Sequence, residues 1–513
     1  MNIDDLVDHN KRGAEYALSG NYSRALAEFN QAIIDNPRDA SAYHNRALVH
    51  RSLNDYQSAL RDFEQAITIQ PSYTMAYYQR GLTYYLVKEH RRAIKDFSTA
   101  LALQPNDVQS LIGRGLVYMA LEEHEQAILN FNRAITIDPD HAGNTGAYGD
   151  RGQAYAALKK FAEAIDDFIQ ALILKPEDVV LLNRLGAAYT DSGQPERAIE
   201  NYNTALLLSP DTAFTYNNRG EAYRLLHMHR EAIADFDRAL ILDPTLAIVY
   251  YNRGLSYQSL KQFQQALADY NQALARDPSL HMVYNDRAVV YCQLKMYREA
   301  VADYDRILAY EPDDPLAIFS RGTMYLYLNE PEEAIKDFNE VIDILPGFAC
   351  AYNNRGEAYL RLRDLAQAYT NCSRSWQLDP THVDHGWMTM WIDMCLDRPD
   401  PEMIERLEQI AQADPQDYDA FLCRSVALWL SSNHERALAE IESAITLDAD
   451  KWGAYFWKGM ICVALGRDQE AVAALEHALA ENMPPALLAP LEWLKHDRPD
   501  FYVEHVIPLL QRS

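Results

Sequence analysis

Apolar residues in this chain fall into short helical stretches that come in pairs. In residues 213–246, Tyr216, Gly220 and Tyr223 recur at three- and four-residue steps. After a polar joint, Ala232, Phe236 and Ala239 do the same, with Ile233 and Leu240 beside them. Such spacing marks one face of an amphipathic helix, so each half predicts one helix. The joint Leu226-His227-Met228-His229 separates them. Asp243-Pro244 closes the second, because a residue before proline is pushed out of the α region. Gly220 and Ala232 are small enough to let the two helices approach, and Phe236 fills the space beyond them.

The same pattern returns along most of the chain. Its closing prolines are Pro37, Pro71, Pro105, Pro139, Pro176, Pro210, Pro244, Pro278, Pro312, Pro346 and Pro380, spaced by 34 residues except for three extra between Pro139 and Pro176. A fixed period of this length predicts a stacked repeat architecture, which grows along one axis without a central core. Repeats begin near residues 6, 40, 74, 108, 145, 179, 213, 247, 281, 315 and 349. An aromatic, then Gly or Ala, then Tyr in the first helix, followed by Ala, an aromatic and Ala in the second, with a closing Pro, resembles the tetratricopeptide repeat family. The resemblance implies an all-α fold: a right-handed α-solenoid, or superhelix, of antiparallel helix pairs with a 34-residue repeat. It also implies that first helices line a concave face and second helices a convex one.

One feature departs from the family's usual pattern. Just before the small residue, where Leu is common, stands an arginine: Arg12, Arg46, Arg80, Arg114, Arg151, Arg219, Arg253, Arg287, Arg321 and Arg355. Sixteen residues later most repeats carry an acid, among them Glu28, Asp62, Asp96, Asp167, Asp235, Asp269, Asp303 and Asp337. The repeat at 179–212 loses both together, with Leu185 and Asn201. Because the acids track the arginines, the expectation is a ladder of Arg–carboxylate pairs joining the two helices, for which the two-pronged guanidinium is suited. A ligand-binding arginine row is the other reading.

After Pro380 the pattern decays. The chain is expected to divide into eleven regular repeats over 1–380, a degenerate helix pair and two further repeats over 381–485, and capping helices over 486–513, since a solenoid's last repeat needs a cover with a polar outer face. Asp400-Pro401 supplies a cap and first-turn proline for the second helix of the degenerate pair. All seven tryptophans lie between Trp376 and Trp493. They fit core packing of atypical repeats, or else a docking surface. Gly143 and Gly146 surround the three-residue insertion and predict a longer surface loop, or a hinge or docking loop.

Composition narrows the partners. A formal charge of −27 opposes phosphate backbones and anionic lipid, so neither nucleic acid nor membrane is expected. No stretch approaches the roughly 18 apolar residues of a membrane span. The start, MNIDDLVDHNKRG, lacks the basic and then apolar run of a signal peptide. The six cysteines show no close paired spacing, which fits free thiols in a reducing cytoplasm. Glycine-rich phosphate loops, HExxH and GxSxG are all missing. His382, Asp384 and His385 form the one weak metal-like cluster. The expectation is a non-enzymatic protein without cofactor or metal.

The resemblance also locates a binding face. In the family, the residue two before the small one points into the groove, where Asn can pair with the backbone of an extended peptide, since an amide both donates and accepts. Here that rung carries Asn45, Gln79, Asp150, Asn218, Asn252, Asp286 and Asn354. Solvation, or a bond to the next helix, is the alternative role. Around the rungs, Met75, Tyr78, Phe214, Ile248, Tyr251, Met282, Leu316 and Phe319 form an apolar strip for a partner's side chains, or pack between first helices. The Lys-and-Asn order of a carboxylate-gripping co-chaperone adaptor is not found. The function expected is a cytoplasmic scaffold or adaptor that binds a neutral or basic protein or peptide in the groove. The alternative is a homo-oligomer docked through its Trp-rich C-terminal part.

Overall fold

The structure, a computed structural model, describes residues 8–139, 144–380, 383–396, 402–481, 483 and 485–511. Gly143, His382, Asp400 and Pro401 lie outside these. The chain divides into two units, Met1–Leu260 and Lys261–Ser513. Both are built from helices alone, with no strand among the described residues, and successive helices pack in order. The fold is an all-α solenoid of antiparallel helix pairs.

The period has a local cause. In residues 213–246 a 13-residue helix, Ala213–Leu225, meets a 14-residue helix, His229–Leu242, across three turn residues, and four linker residues complete the repeat. The turn is a Schellman motif: the His227 N–H donates to Arg224 O and the Met228 N–H to Tyr223 O, both at 2.9 Å. His227 therefore sits at φ 57°, in the left-handed region. The same turn position is left-handed at Asn54, Lys88, Glu122, Lys159, Lys261, Lys295, Asn329, Arg363 and Ser432, while among the described residues only Gly20, Gly193 and Gly466 fill it with glycine. Left-handed backbone costs a side-chain-bearing residue about 1–2 kcal/mol, against about 0.5–1 kcal/mol for the extra freedom glycine loses on folding. Lys88→Gly and Glu122→Gly are each expected to stabilise by about 0.5–1 kcal/mol, read as a higher urea midpoint. A lower midpoint would show that these side chains hold contacts worth more than the strain.

Packing within a repeat follows the small-to-large pattern. Phe236, Ala232 and Ala239 are fully buried. A Cβ on Gly220 would lie 2.7 Å from the Phe236 ring, so glycine lets that ring sit against the first helix. In the repeats at 349 and 452 the ring is replaced by Cys372 and Leu475, which stand 2.6 Å from a Cβ built on Gly356 and Gly459.

The arginines form the expected ladder and reach further. Arg219 donates from Nε and Nη2 to both oxygens of Asp235, each at 2.7 Å. Arg46–Asp62, Arg80–Asp96, Arg151–Asp167, Arg287–Asp303 and Arg321–Asp337 repeat this fork. Arg424–Glu440 continues the ladder beyond Pro380 with one bond of 2.8 Å. The third arm, Nη1, crosses to the preceding repeat: Arg46 to Asn30, Arg219 to Asn203 and Arg287 to Asn271, each at 2.6 Å. One guanidinium thus ties its own helix pair to the second helix before it. Tyrosines one turn to either side flank the cation, Tyr216 at 5.5 Å and Tyr223 at 5.9 Å from Arg219. This accounts for much of the tyrosine content. Burial pushes the Asp167, Asp303 and Asp337 carboxyls up, while their arginines pull the other way.

Past Pro380 the repeats share one continuous core. Trp387, Trp391 and Trp457 are buried, and Trp376, Trp429, Trp452 and Trp493 pack against them. None of the seven indoles is exposed. The tail differs from two regular α-helices: Pro485–Trp493 is a 3-10 segment with Pro490 inside it, and Tyr502–Val506 widens to a π turn. Proline removes the backbone donor that an α-helix interior needs, so the first segment takes the tighter form. Leu487, Leu491, Phe501, Val506 and Leu509 seal the core, while Glu492, Lys495 and Glu504 stay toward solvent.

Candidate partner-binding face

The first helices carry the rung and strip residues, and in the N-terminal unit the first helices of adjacent repeats touch one another. The rungs pair backward along that row. Asn45 donates to Asn10 of the preceding first helix at 3.0 Å, Asn252 donates to Asn217 at 3.1 Å, and Asn354 donates to Thr323 at 3.2 Å. Gln79 accepts from Arg51 at 2.7 Å. Asn218 accepts from its neighbour Asn217 at 3.3 Å. Asn252 is buried, and the other three asparagines are half-buried. An amide has more bonding capacity than one such contact uses.

The apolar strip resolves into two rows. Residues at the fifth position of the first helix lie half-buried against the core: Tyr78 is 5.9 Å from Phe97, and Phe319 is 5.8 Å from Phe338 and 5.0 Å from Phe348. Tyr251 is half-buried. Residues at the second position face solvent: Met75, Phe214 and Ile248 in the N-terminal unit, Met282 and Leu316 in the C-terminal one. Phe214 is 60% and Leu316 63% exposed. Val180 belongs to this row and is 58% exposed. Sequence reasoning passes over it because Val-Val-Leu-Leu reads as uniformly apolar, although its 34-residue offset from Phe214 is visible.

His385 is buried, with Nδ1 3.0 Å from Ser375 Oγ, and its Nε2 lies 3.8 Å from an Asp384 oxygen. No group of three potential metal ligands occurs among the described residues. All six cysteines are free, and burial pushes the Cys372 and Cys395 thiols up to about 12, which makes them poor nucleophiles. Among the described residues no helix is long and apolar enough to cross a membrane.

Comparison with known proteins follows the same period. Models described as "Tetratricopeptide repeat" match residues 40–73, 75–107, 108–141, 145–178, 177–243, 247–280, 293–349 and 428–484. No curated protein matches the chain. Similar solved structures include a tetratricopeptide repeat protein from Parabacteroides merdae, 19% identical, covering 48% of this chain and 97% of that one with a TM-score of 0.38. YrrB, described as a TPR protein with an unusual peptide-binding site, is 24% identical over 37% of this chain and 97% of its own, with a TM-score of 0.32. The APC/C hetero-tetramer Cut9–Hcn1 is 15% identical over 81% of this chain and 95% of that one, with a TM-score of 0.36. The matched repeats span most of the chain, each falling on helix pairs of the solenoid, and the chain belongs to the tetratricopeptide repeat family.

Proposed function

We propose that this chain is a scaffold holding an extended stretch of a neutral or basic partner polypeptide along the face of its first helices. Proteins of the family are in general non-catalytic interaction scaffolds. The observation that carries the finer reading is the exposed row at the second helical position, one large apolar side chain per repeat at Val180, Phe214 and Ile248. Packed helices lie about 8–10 Å apart, and one three-residue turn of extended polyproline II chain rises about 9 Å and returns its side chain to the same face. A partner with an apolar side chain at every third position therefore meets one such residue per repeat. Rung amides beside the row retain bonding capacity for the partner's backbone. The −27 formal charge draws a basic segment in, with a salt-dependent rate.

Phe214→Ser with Leu316→Ser is the decisive variant, since neither side chain is part of the core. Affinity capture with the full chain is expected to lose a wild-type partner at least tenfold, at about 1–2 kcal/mol per exposed anchor, with helicity and melting unchanged. Capture that persists at full yield would place binding elsewhere.

A further inference from the structure

The first-helix face of the N-terminal unit has a notch. The Asn144–Ala157 helix starts one residue early and carries Gly146 and Gly149 at its third and sixth positions, in register with Val180 and Asn183, Phe214 and Asn217, and Ile248 and Tyr251 of the next three repeats. Two missing side chains open a cavity of about 450 Å³ beside them. At the same place in the C-terminal unit, where Met282 and Asn285 stand, the cavity is about 200 Å³.

The notch is lined by charges of two kinds. Lys175 and Asp178 are occupied: they pair at 3.0 Å, and Asp178 caps the next helix by accepting from the N–H groups of Val180 and Leu181. Asp150 and Arg184 form only a loose ion pair, with no hydrogen bond between them. Their nearest atoms are 3.9 Å apart, too far for a hydrogen bond, and neither side chain makes one among the described residues. Arg184 stands at the rung position, one residue before Leu185, and so outside the ladder of forked pairs. Burial also pushes the Asp150 carboxyl up, with Arg184 pulling the other way. Val180 and Leu181 supply an apolar wall.

We infer that this notch binds a primary carboxamide, the side chain of a glutamine in the partner segment, with its N–H₂ donating to Asp150 and its carbonyl accepting from Arg184. The inference rests on the first-helix face being the binding face and names one residue of the partner. A carboxamide presents a donor and an acceptor side by side, matching the open acceptor and donor here. A lysine or arginine side chain would pair with Asp150 but crowd Arg184, and a glutamate would do the reverse, whereas a neutral amide serves both. Its methylenes lie against Val180 and Leu181.

The test uses the full chain and saturation-transfer NMR with millimolar N-acetyl-glutamine methylamide, set against the alanine, glutamate and lysine methylamides. Saturation of the glutamine β and γ protons is expected to exceed that of the alanine methyl at least fivefold, and to exceed the glutamate and lysine signals. Gly146→Met fills the notch; among the described residues a Cβ there meets nothing within 4 Å, and Met282 occupies the equivalent position, so the fold tolerates it. In this variant, and in Arg184→Leu, the glutamine signal is expected to fall to the alanine background. Equal signals in wild type and Gly146→Met, or no glutamine signal, overturn the notch, and a stronger lysine or glutamate signal overturns the carboxamide. Phe214→Ser with Leu316→Ser leaves the probe signal intact whether or not partner capture is lost, so the two readings fail separately.

Discussion

Asp235→Ala is expected to destabilise the 213–246 repeat by about 3–5 kcal/mol, whereas Arg219→Leu combined with Asp235→Asn costs about 1–2 kcal/mol. The single change strands the Arg219 guanidinium between two helices, where only its arm to Asn203 remains bonded. Removing one member of a buried pair leaves an uncompensated charge, and that penalty exceeds the net worth of the pair itself. The double change copies what the preceding repeat already does. There Leu185 is buried at the arginine position, and Asn201 turns its amide onto Arg197 O at 2.8 Å, within its own helix. That repeat keeps the same helix pair, with Tyr202 buried against Gly186. What the double variant still loses is the bond to Asn203 and the two tyrosine faces. Hydrogen exchange read on peptides from 213–246 is the suitable measurement, because a solenoid opens locally and each repeat depends on its neighbours. Equal protection loss in single and double variants would mean the arginines act through packing rather than charge. A row of ligand-binding arginines has little room here: three of the five guanidinium donors of Arg219 are already committed.

Much of this architecture is legible in the amino-acid sequence. The 34-residue period, the helix pairs and the fork between arginine and acid all follow from residues that recur at fixed offsets. The third arginine arm is equally periodic but easy to miss. Its partners Asn30, Ser98, Asn203, Asp237 and Asn339 share a position and not a charge. The left-handed turn is hidden because lysine and glutamate fill it more often than glycine. Within the candidate binding face, the sequence does not separate the exposed second position from the half-buried fifth. In Met75 and Tyr78 or Leu316 and Phe319 both are apolar, and the ring of the second helix decides which is covered. The backward pairing of the rungs depends on residues about 35 positions away, such as Asn10 for Asn45. The notch is in view as Gly146 and Gly149, yet glycines beside an insertion read first as a loop.

Asp419→Asn is expected to leave stability unchanged near pH 4 and to raise it by about 2–4 kcal/mol at pH 8. Asp419 is the second residue of the Tyr418–Leu430 helix and is buried, with no hydrogen bond to its carboxylate among the described residues. Burial pushes its carboxyl up to about 7; Asp384, Asp417 and Asp448 add to the rise, and Lys451 opposes it. The Lys451 ammonium sits 4.3 Å over the Tyr418 ring, which leaves it shared between the two. The helix N-terminus favours the carboxylate by about 0.3–1 kcal/mol, too little against desolvation of this depth. Below about pH 4 both folded and unfolded chains hold the proton, so the residue contributes nothing. As pH rises from about 4 to about 7, the unfolded carboxyl ionises while the folded one keeps its proton. Stability falls over that window at about 1.4 kcal/mol per pH unit and then levels off. Asparagine has no such proton, so the difference between variant and wild type isolates this group from Asp150, Asp167, Asp303 and Asp337, which burial also raises. Urea unfolding followed by tryptophan fluorescence reads the right unit, since every tryptophan lies between Trp376 and Trp493 around this helix. A stability difference constant from pH 4 to pH 8 would show that Asp419 is ionised in the folded chain throughout, held by Lys451 and the helix terminus after all.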